Sequence, residues 1–349
     1  MQTKLRKPIA IHYREEGFTC RFIEYCDKHS IPYKKVNCYD NDIVDQLKGY
    51  AALVWHWSHV DFRDQILAKY LITILSGRGF KVFPDYWNNV VFDDKIAQKY
   101  LLNTINAPLV PTFIFYSKEE ALNWAEKTDY PKVFKLRGGA GSSNVRLINN
   151  KNQAKRIINR SFNRGFPSYD RYSGFSQRLW LFNRDRNSAS FVLVLKGLIR
   201  LIKPKGRIDL LPSQKGYVYF QDYIPNNEYD TRLIIIGGRC FGLRRFIRKN
   251  DFRASGSGLL DYDVNHINLD AVKIAFEISK KLNTKSLALD FILDNSGNPI
   301  LIEMSYAFPA GSFTDNCTGY WDNDLIWHEG AYNLQYLIME DFITELTES

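Results

Sequence analysis

The chain has 349 residues, 45% hydrophobic and 24% charged, with a formal charge of +9. These proportions exclude a disordered chain and call for two or three packed subdomains. Five cysteines (Cys20, Cys26, Cys38, Cys240, Cys317) with no CxxC spacing exclude a disulfide frame or zinc site and read as reduced thiols. The opening residues, MQTKLRKPIAIHYREEG, meet charge again at Arg14, which argues against a signal-peptide core. No apolar run approaches the ~20 residues of a membrane span, so a cytoplasmic protein is expected.

KPIAIHY reads as a short apolar strand, and EGFTCRFIEYCDKHS as a helix with Phe18, Phe22, Ile23 and Cys26 on one face. IPYKKVN and YAALVWHW follow as strands, RDQILAKYLITILSGRG as a helix closed by glycine, and KVFPD as a fourth strand. This alternation predicts a small parallel sheet with helices on its faces, a Rossmann-like domain over residues 1–88. In WHWSH, His56 and His59 are the one close pair among six histidines. At a strand end they read as packing or loop rather than metal ligands, and Trp55 and Trp57 offer the alternative of a sugar-binding face.

Residues 89–154 form the next unit: helix DDKIAQKYLLNTIN, strand PTFIFY, a helix from Lys118 to Lys127, and strands KVFKL and NVRLI around the loop GGAGSS. Glycines let backbone N–H groups approach an anion and serines add donors. Taken alone, such a loop is equally an ordinary turn. It is not a P-loop, because no GK[ST] follows and the next element reads as a strand.

Residues 155–214 read as an irregular, aromatic-rich basic insertion. Between 151 and 206 there are 13 basic residues against two acids, Asp170 and Asp185, so the charge of the whole chain resides there. Aromatics from Phe162 to Phe182 interleave with these cations, and FVLVLKGLIRLI is the most apolar stretch in the sequence. Three readings stand: a solvated insertion packed on its neighbours, an interfacial helix against an anionic membrane, or a nucleic-acid surface. No RNA-binding signature is present, so nucleic acid is not an expected partner.

Beyond it, within 215–349, YVYFQDYI, TRLIIIGGRCFGLRRFI, LALDFILD and PILIEMS read as strands, with a helix over 268–283. The turn DNSGN joins the last two strands as a hairpin. Asp290 and Glu303 sit in these strands, where pairing would turn both carboxylates to one side. Two hard oxygen ligands on adjacent strands suit Mg²⁺, which takes its remaining ligands from water and phosphate. An amphipathic hairpin with solvent-facing acids is the alternative.

The order of these features resembles the ATP-grasp superfamily of carboxylate–amine ligases, such as D-alanine–D-alanine ligase and ribosomal-protein glutamate ligase. It runs through Lys95, Lys135, the Gly/Ser loop, FQDYI, EYDTR, an arginine-rich strand and the Asp–Glu hairpin, over roughly residues 80–310. The implied fold is α/β, with α+β character in the catalytic part and an N-terminal pre-ATP-grasp domain. The implied cofactors are ATP and one or two Mg²⁺ ions.

By this resemblance Lys95 and Lys135 contact ATP phosphates, and the lid is formed by Gly138, Gly139, Gly141, Ser142 and Ser143. Gln221, Asp222, Tyr223 and Ile224 read adenine, and Glu228, or else Asp230, holds the ribose. Arg245 and Arg253 stabilise the transferring phosphoryl and acyl phosphate, and Asp290 and Glu303 hold metal. Ser305 stands where the family usually has asparagine, so the second metal site departs from the pattern. The implied reaction joins a small-molecule or lipid-linked carboxylate to an amine through an acyl phosphate. The segment GYWDNDLIWHEG is similar to ATP-grasp proteins encoded with surface-polysaccharide genes, which implies a cell-surface glycan precursor and, as a further expectation, peripheral placement at the inner membrane face. The alternative is a degenerate ATP-grasp module that binds nucleotide or glycan, or a membrane- or nucleic-acid-binding protein using the basic segment.

Overall fold

The computed structural model describes residues 5–15, 17–139, 144–168, 171–202, 211–248, 251–253, 257–309, 311, 313 and 316–348. The first unit holds β1 (Ile9–His12), α1 (Thr19–Lys28), β2 (Tyr33–Val36), α2 (Ile43–Leu47), β3 (Ala52–Val54), α3 (Phe62–Gly77) and β4 (Lys81–Phe83). Its four strands are parallel in the order β2-β1-β3-β4. All four residues of β1 are buried, as expected of a parallel strand covered on both faces. The Asp61 carboxylate caps α3 by accepting from the backbone N–H of Arg63. Predicted sheet and observed sheet agree; the short α2 carried too few residues to show a period.

After α4 (Tyr86–Val91) and α5 (Lys95–Thr104), a second sheet is built from β5 (Thr112–Phe115), α6 (Lys118–Lys127), β6 (Lys132–Lys135), β7 (Arg146–Ile148), α7 (Lys151–Phe162) and, after two further helices, β8 (Val218–Asp222). The strand order is β5-β8-β6-β7, all antiparallel. Ala121, Ala125, Ala154, Ile157 and Ile158 from α6 and α7 bury against Phe134, Phe166 and Phe220.

The expectation of an irregular segment over 155–214 does not hold. α7 crosses position 155, and α8 (Arg171–Asp185) and α9 (Ser188–Ile202) form a helical hairpin. α7 buries Ala154, Ile157, Ile158 and Ser161 at i, i+3, i+4 and i+7. The dense charges on its outer face mask that narrow stripe in the sequence.

The third sheet combines β9 (Tyr229–Ile236), β10 (Arg239–Phe246), β11 (Leu260–Asp261), β12 (Ser286–Leu293), β13 (Pro299–Ser305), β14 (Gly319–Trp321) and β15 (Trp327–Glu329). Its path is β13-β12-β9-β10-β14-β15, with β11 on β10. α10 (Leu269–Leu282) sits on one face, with Ala271, Val272, Ala275 and Ile278 sharing a core with Leu233, Ile235, Leu287 and Leu289. α11 (Leu334–Glu348) returns to the first sheet. There Leu334, Ile338, Met339 and Phe342 join the core of Ile9, Phe22 and Phe83, and Lys81 pairs with Glu345 at 2.8 Å.

Candidate active site

A cavity of about 1030 Å³ is lined by residues of the second and third sheets and by segments that follow β1 and β3 of the first. Its best-defined corner begins where α4 gives way to α5. Asp93 takes a left-handed backbone (φ 51°), and Asp94 caps α5 by accepting from the N–H of Ala97. Lys95 then opens the helix with its ammonium inside the cavity, where Nζ donates to the Gly139 carbonyl at 2.9 Å and pairs with Glu303 Oε1 at 3.1 Å. Burial opposes this charge, but Glu303 and Asp93 together raise the lysine above its ordinary pKa.

The base of the glycine loop is fixed from the same side. Gly139 N–H donates to Asp93 Oδ1 at 2.8 Å, and Gly139 has a φ of 115°. At Gly138 an added Cβ would stand 2.9 Å from Asp93 Oδ2. Gly138 thus serves a close approach to Asp93, and Gly139 a backbone conformation that residues with a Cβ rarely adopt. Asp93 is raised above the usual carboxylate range by burial, against the opposing pull of His59 and Lys95.

Lys135 ends β6 opposite Tyr219 and is buried. Its ammonium donates to Gln221 Oε1 at 2.6 Å, and Gln221 Nε2 reaches Thr112 Oγ1 at 3.2 Å. Burial lowers Lys135 to about 8; Glu303 opposes the shift and Lys95 adds to it.

The floor is the β12–β13 hairpin. Asp290 and Glu303 are direct cross-strand partners, and the register then skips Ile302, a bulge that increases local twist beside the two acids. Ser305 lies two residues on, hence on the same face as Glu303. It also lines the cavity, and its Oγ accepts from the Ala307 N–H at 3.1 Å.

Beside this pair lies an ion cluster set by strand register. Arg232 stands opposite Asp290 and holds it through Nε–Oδ1 at 2.7 Å and Nη2–Oδ2 at 2.8 Å. Arg245 stands opposite Asp230, binds it with two contacts of 2.6 and 2.7 Å, and reaches Asp290 at 2.7 Å. Burial would raise Asp290, but Arg232 and Arg245 outweigh it and hold the carboxyl well below the usual range. Asp230 is instead raised by burial, which Arg245 only partly offsets.

Among the described residues, no group of three or more His, Cys, Asp or Glu side chains converges as a metal cage. The two acids of the hairpin nevertheless fit Mg²⁺, which is held by one or two carboxylates plus phosphate and water. Both oxygens of Asp290 are engaged by arginine, whereas Glu303 is one-third exposed into the cavity beside Lys95. Glu303 is thus the carboxylate with room for a cation. Among the described residues the charged side chains of the lining balance: Arg14, Lys95, Lys135, Arg232, Arg245 and Arg253 face Asp93, Asp222, Asp230, Asp251, Asp290 and Glu303.

Residues 94–176 match the family described as the carbamoyl-phosphate synthase L chain ATP binding domain. Sequence comparison with curated proteins gives no match. Among solved structures, the chain is similar to a RimK-domain ATP-grasp protein from Sphaerobacter thermophilus (13% identity, TM-score 0.55), covering 96% of this chain and 99% of that one. It is similar to D-alanine–D-alanine ligase from Bacillus anthracis complexed with ATP (11% identity, TM-score 0.57), covering 98% of each. The biotin carboxylase domain of Hydrogenobacter thermophilus 2-oxoglutarate carboxylase, bound to MgADP, also resembles it (14% identity, TM-score 0.58), covering 95% of this chain and 68% of that one. The chain has the ATP-grasp fold.

Within this ATP-grasp framework, Lys95, Lys135, Gly139, Gln221, Asp222, Tyr223, Ile224, Asp230, Arg245, Arg253, Asp290, Glu303 and Ser305 all line the one cavity. Gly138 adjoins it through Asp93. Gly141, Ser142 and Ser143 lie outside the described residues. Of the two carboxylates expected at the ribose, Glu228 lies just before β9 begins and is exposed and off the lining, whereas Asp230, within β9, is buried and lines the cavity. Arg245 lines the cavity with its guanidinium held by Asp230 and Asp290.

Arg253 pairs with Asp251 at 2.8 Å. Asp222 pairs with Lys132 at 2.5 Å. Trp55 is core rather than a sugar face, and Trp57 is buried with Nε1 on Asn89 at 3.0 Å. His56 stacks on Phe18, and burial lowers it to about 3.

The sequence reading missed Asp93 and Arg232. Arg232 was detectable, standing two residues from Asp230 on one strand face. Asp93 was hidden as the residue before a helix cap.

Proposed function

We propose that the chain is an ATP- and Mg²⁺-dependent carboxylate–amine ligase. The observation that carries this reading is the meeting of Lys95, Lys135, Asp290 and Glu303 in a single cavity, with Lys95 joining the hairpin acid to the glycine loop. Lys135, between Gln221 and the hairpin, would bind phosphate oxygens, and Lys95 would exchange Glu303 and the Gly139 carbonyl for the same ligand. Charge-assisted contacts of this kind are the strong ones.

A substrate carboxylate oxygen attacks the γ-phosphorus and the bond to ADP breaks, giving an acyl phosphate. An amine nitrogen then attacks the acyl carbon, phosphate leaves, and the nitrogen loses a proton to give the amide. No protein nucleophile is needed, and the chain contributes positioning and charge compensation. Arg253, on the cavity wall, is assigned to the transferring phosphoryl. Arg245 acts through the acids it holds. Mg²⁺ bound at Glu303, with Asp290 beside it, would neutralise phosphate charge.

The carboxylate is proposed to belong to a cell-surface glycan precursor. The GYWDNDLIWHEG segment, which forms the β14–β15 hairpin, supports that choice by its resemblance.

Thermal unfolding with and without Mg·ATP tests the site. Ligand at about a hundred times Kd adds roughly 2.7 kcal/mol, or roughly 4 °C for a chain of this size. The shift should shrink strongly in Glu303→Gln and Lys135→Ala. ADP release is then screened over acid and amine pairs. A nucleotide-dependent shift with no turnover on any pair would favour a binding module, and no shift in the wild type would remove the ligase reading.

A further inference from the structure

The α8–α9 hairpin carries a surface that the nucleotide site does not explain. Along α9, Ser190 and Val194 are buried, and at Gly197 an added Cβ would meet Phe175 and Arg178 of α8 at 3.1 Å. These positions mark the face turned to α8. On the other side Phe191, Val192, Leu195, Leu198 and Ile199 are 43–60% exposed. At 3.6 residues per turn these five fall within an arc of ~120°. Lys196 and Arg200 follow along one edge of that arc. A contiguous exposed aliphatic patch of this kind marks an interaction surface.

We propose that this hairpin docks on an anionic lipid bilayer, with the α9 arc lying in the interface. Charge selects the partner. Residues 171–202 contain six basic residues and a single acid, Asp185, and that acid is held by Arg184 at 2.5 Å. The ligand must therefore offer negative charge beside an apolar phase, which is what anionic head groups above acyl chains present. Nucleic acid supplies phosphates and stacking faces but no hydrocarbon for Leu195, Leu198 and Ile199. Among the described residues, no helix is long and apolar enough to cross a membrane. α9, at about 22 Å, lies on the surface rather than spanning it.

The turn end of the hairpin touches the cavity. Arg184 Nη1 donates to the Ser257 carbonyl at 3.0 Å, the Arg248 guanidinium lies 4.3 Å from the centre of the Trp180 ring, and Ser257 and Gly258 belong to the cavity lining. Docking through α9 would hold this wall of the cavity near the lipid surface. The inference stands independently of the ligase reading.

The test is co-sedimentation of the full chain with phosphatidylcholine vesicles, with and without phosphatidylglycerol. The chain should sediment with the mixed vesicles and stay in solution with phosphatidylcholine alone. Leu195→Glu with Ile199→Glu should reduce partitioning by more than about tenfold, as should Lys196→Glu with Arg200→Glu. An unchanged melting temperature and far-UV circular dichroism spectrum in both variants would show that the fold is intact. The proposal falls if the wild type ignores anionic vesicles at low salt, or if the aliphatic pair can be replaced without loss. It falls equally if light scattering finds a dimer that the same substitutions dissociate, since a second copy would then cover the arc.

Discussion

A buried lysine titrating near neutrality gives the site its own pH signature. Burial disfavours the charged form of Lys135 and brings it to about 8. The unfolded chain therefore holds this proton more tightly, so the group's contribution to folding stability rises with pH from about 8 to about 10.5. Ligand affinity moves the opposite way, because phosphate needs the ammonium form. Calorimetric titration of Mg·ATP should show affinity falling above pH ~8, by up to about tenfold per unit, and Lys135→Met should flatten that slope.

Arg245 has a different signature. Arg245→Met leaves Asp230 without its bidentate partner and removes one of the two arginines on Asp290. An uncompensated buried carboxylate costs about 3–5 kcal/mol. Urea unfolding should show that loss even in the absence of nucleotide. A small effect would mean that Arg232 alone suffices.

At the level of elements, the loop base and the hairpin are matched parts. Gly138→Ala would drive a Cβ to within 2.9 Å of Asp93 Oδ2 and lift the loop from its anchor. ATP affinity should fall about tenfold, by analogy with the loss of a hydrogen bond to a charged group, with global stability changed by less than about 1 kcal/mol. Paired melting and binding measurements separate the two effects.

The hairpin was legible in sequence because DNSGN is a strong turn signal and Asp294 closes it, its Oδ1 accepting from the N–H groups of Ser296 and Asn298. The thirteen-residue interval from Asp290 to Glu303 then follows from strand length. α8 and α9 were not legible as a pair. α8 shows no clean apolar stripe, and α9 is apolar on nearly every side, so neither carries the 3.6-residue contrast on which pattern reading rests. The choice between Glu228 and Asp230 was open in the sequence because it turns on where β9 begins, at Tyr229, a boundary that pattern reading does not fix. Arg245 was recognised as a site cation, yet its partners depend on cross-strand register that a lone strand does not reveal.

For the molecule as a whole, the last helix ties the two ends of the chain together. Phe342 of α11 packs 6.4 Å from the ring of Phe83 at the end of β4, and both are buried. Phe342→Ala should cost about 3–5 kcal/mol, and limited proteolysis should then cut first within the N-terminal sheet rather than near the substitution.

The balanced lining has a consequence of another kind. With as many acids as cations among the described residues of the lining, this wall has no formal surplus charge to lend a triphosphate. A bare nucleotide would enter as an uncompensated polyanion and would have to strip lysines and arginines from their acids to be held. The divalent ion is then a fare the ligand must carry with it, and chelation should abolish nucleotide binding itself, before any question of chemistry arises.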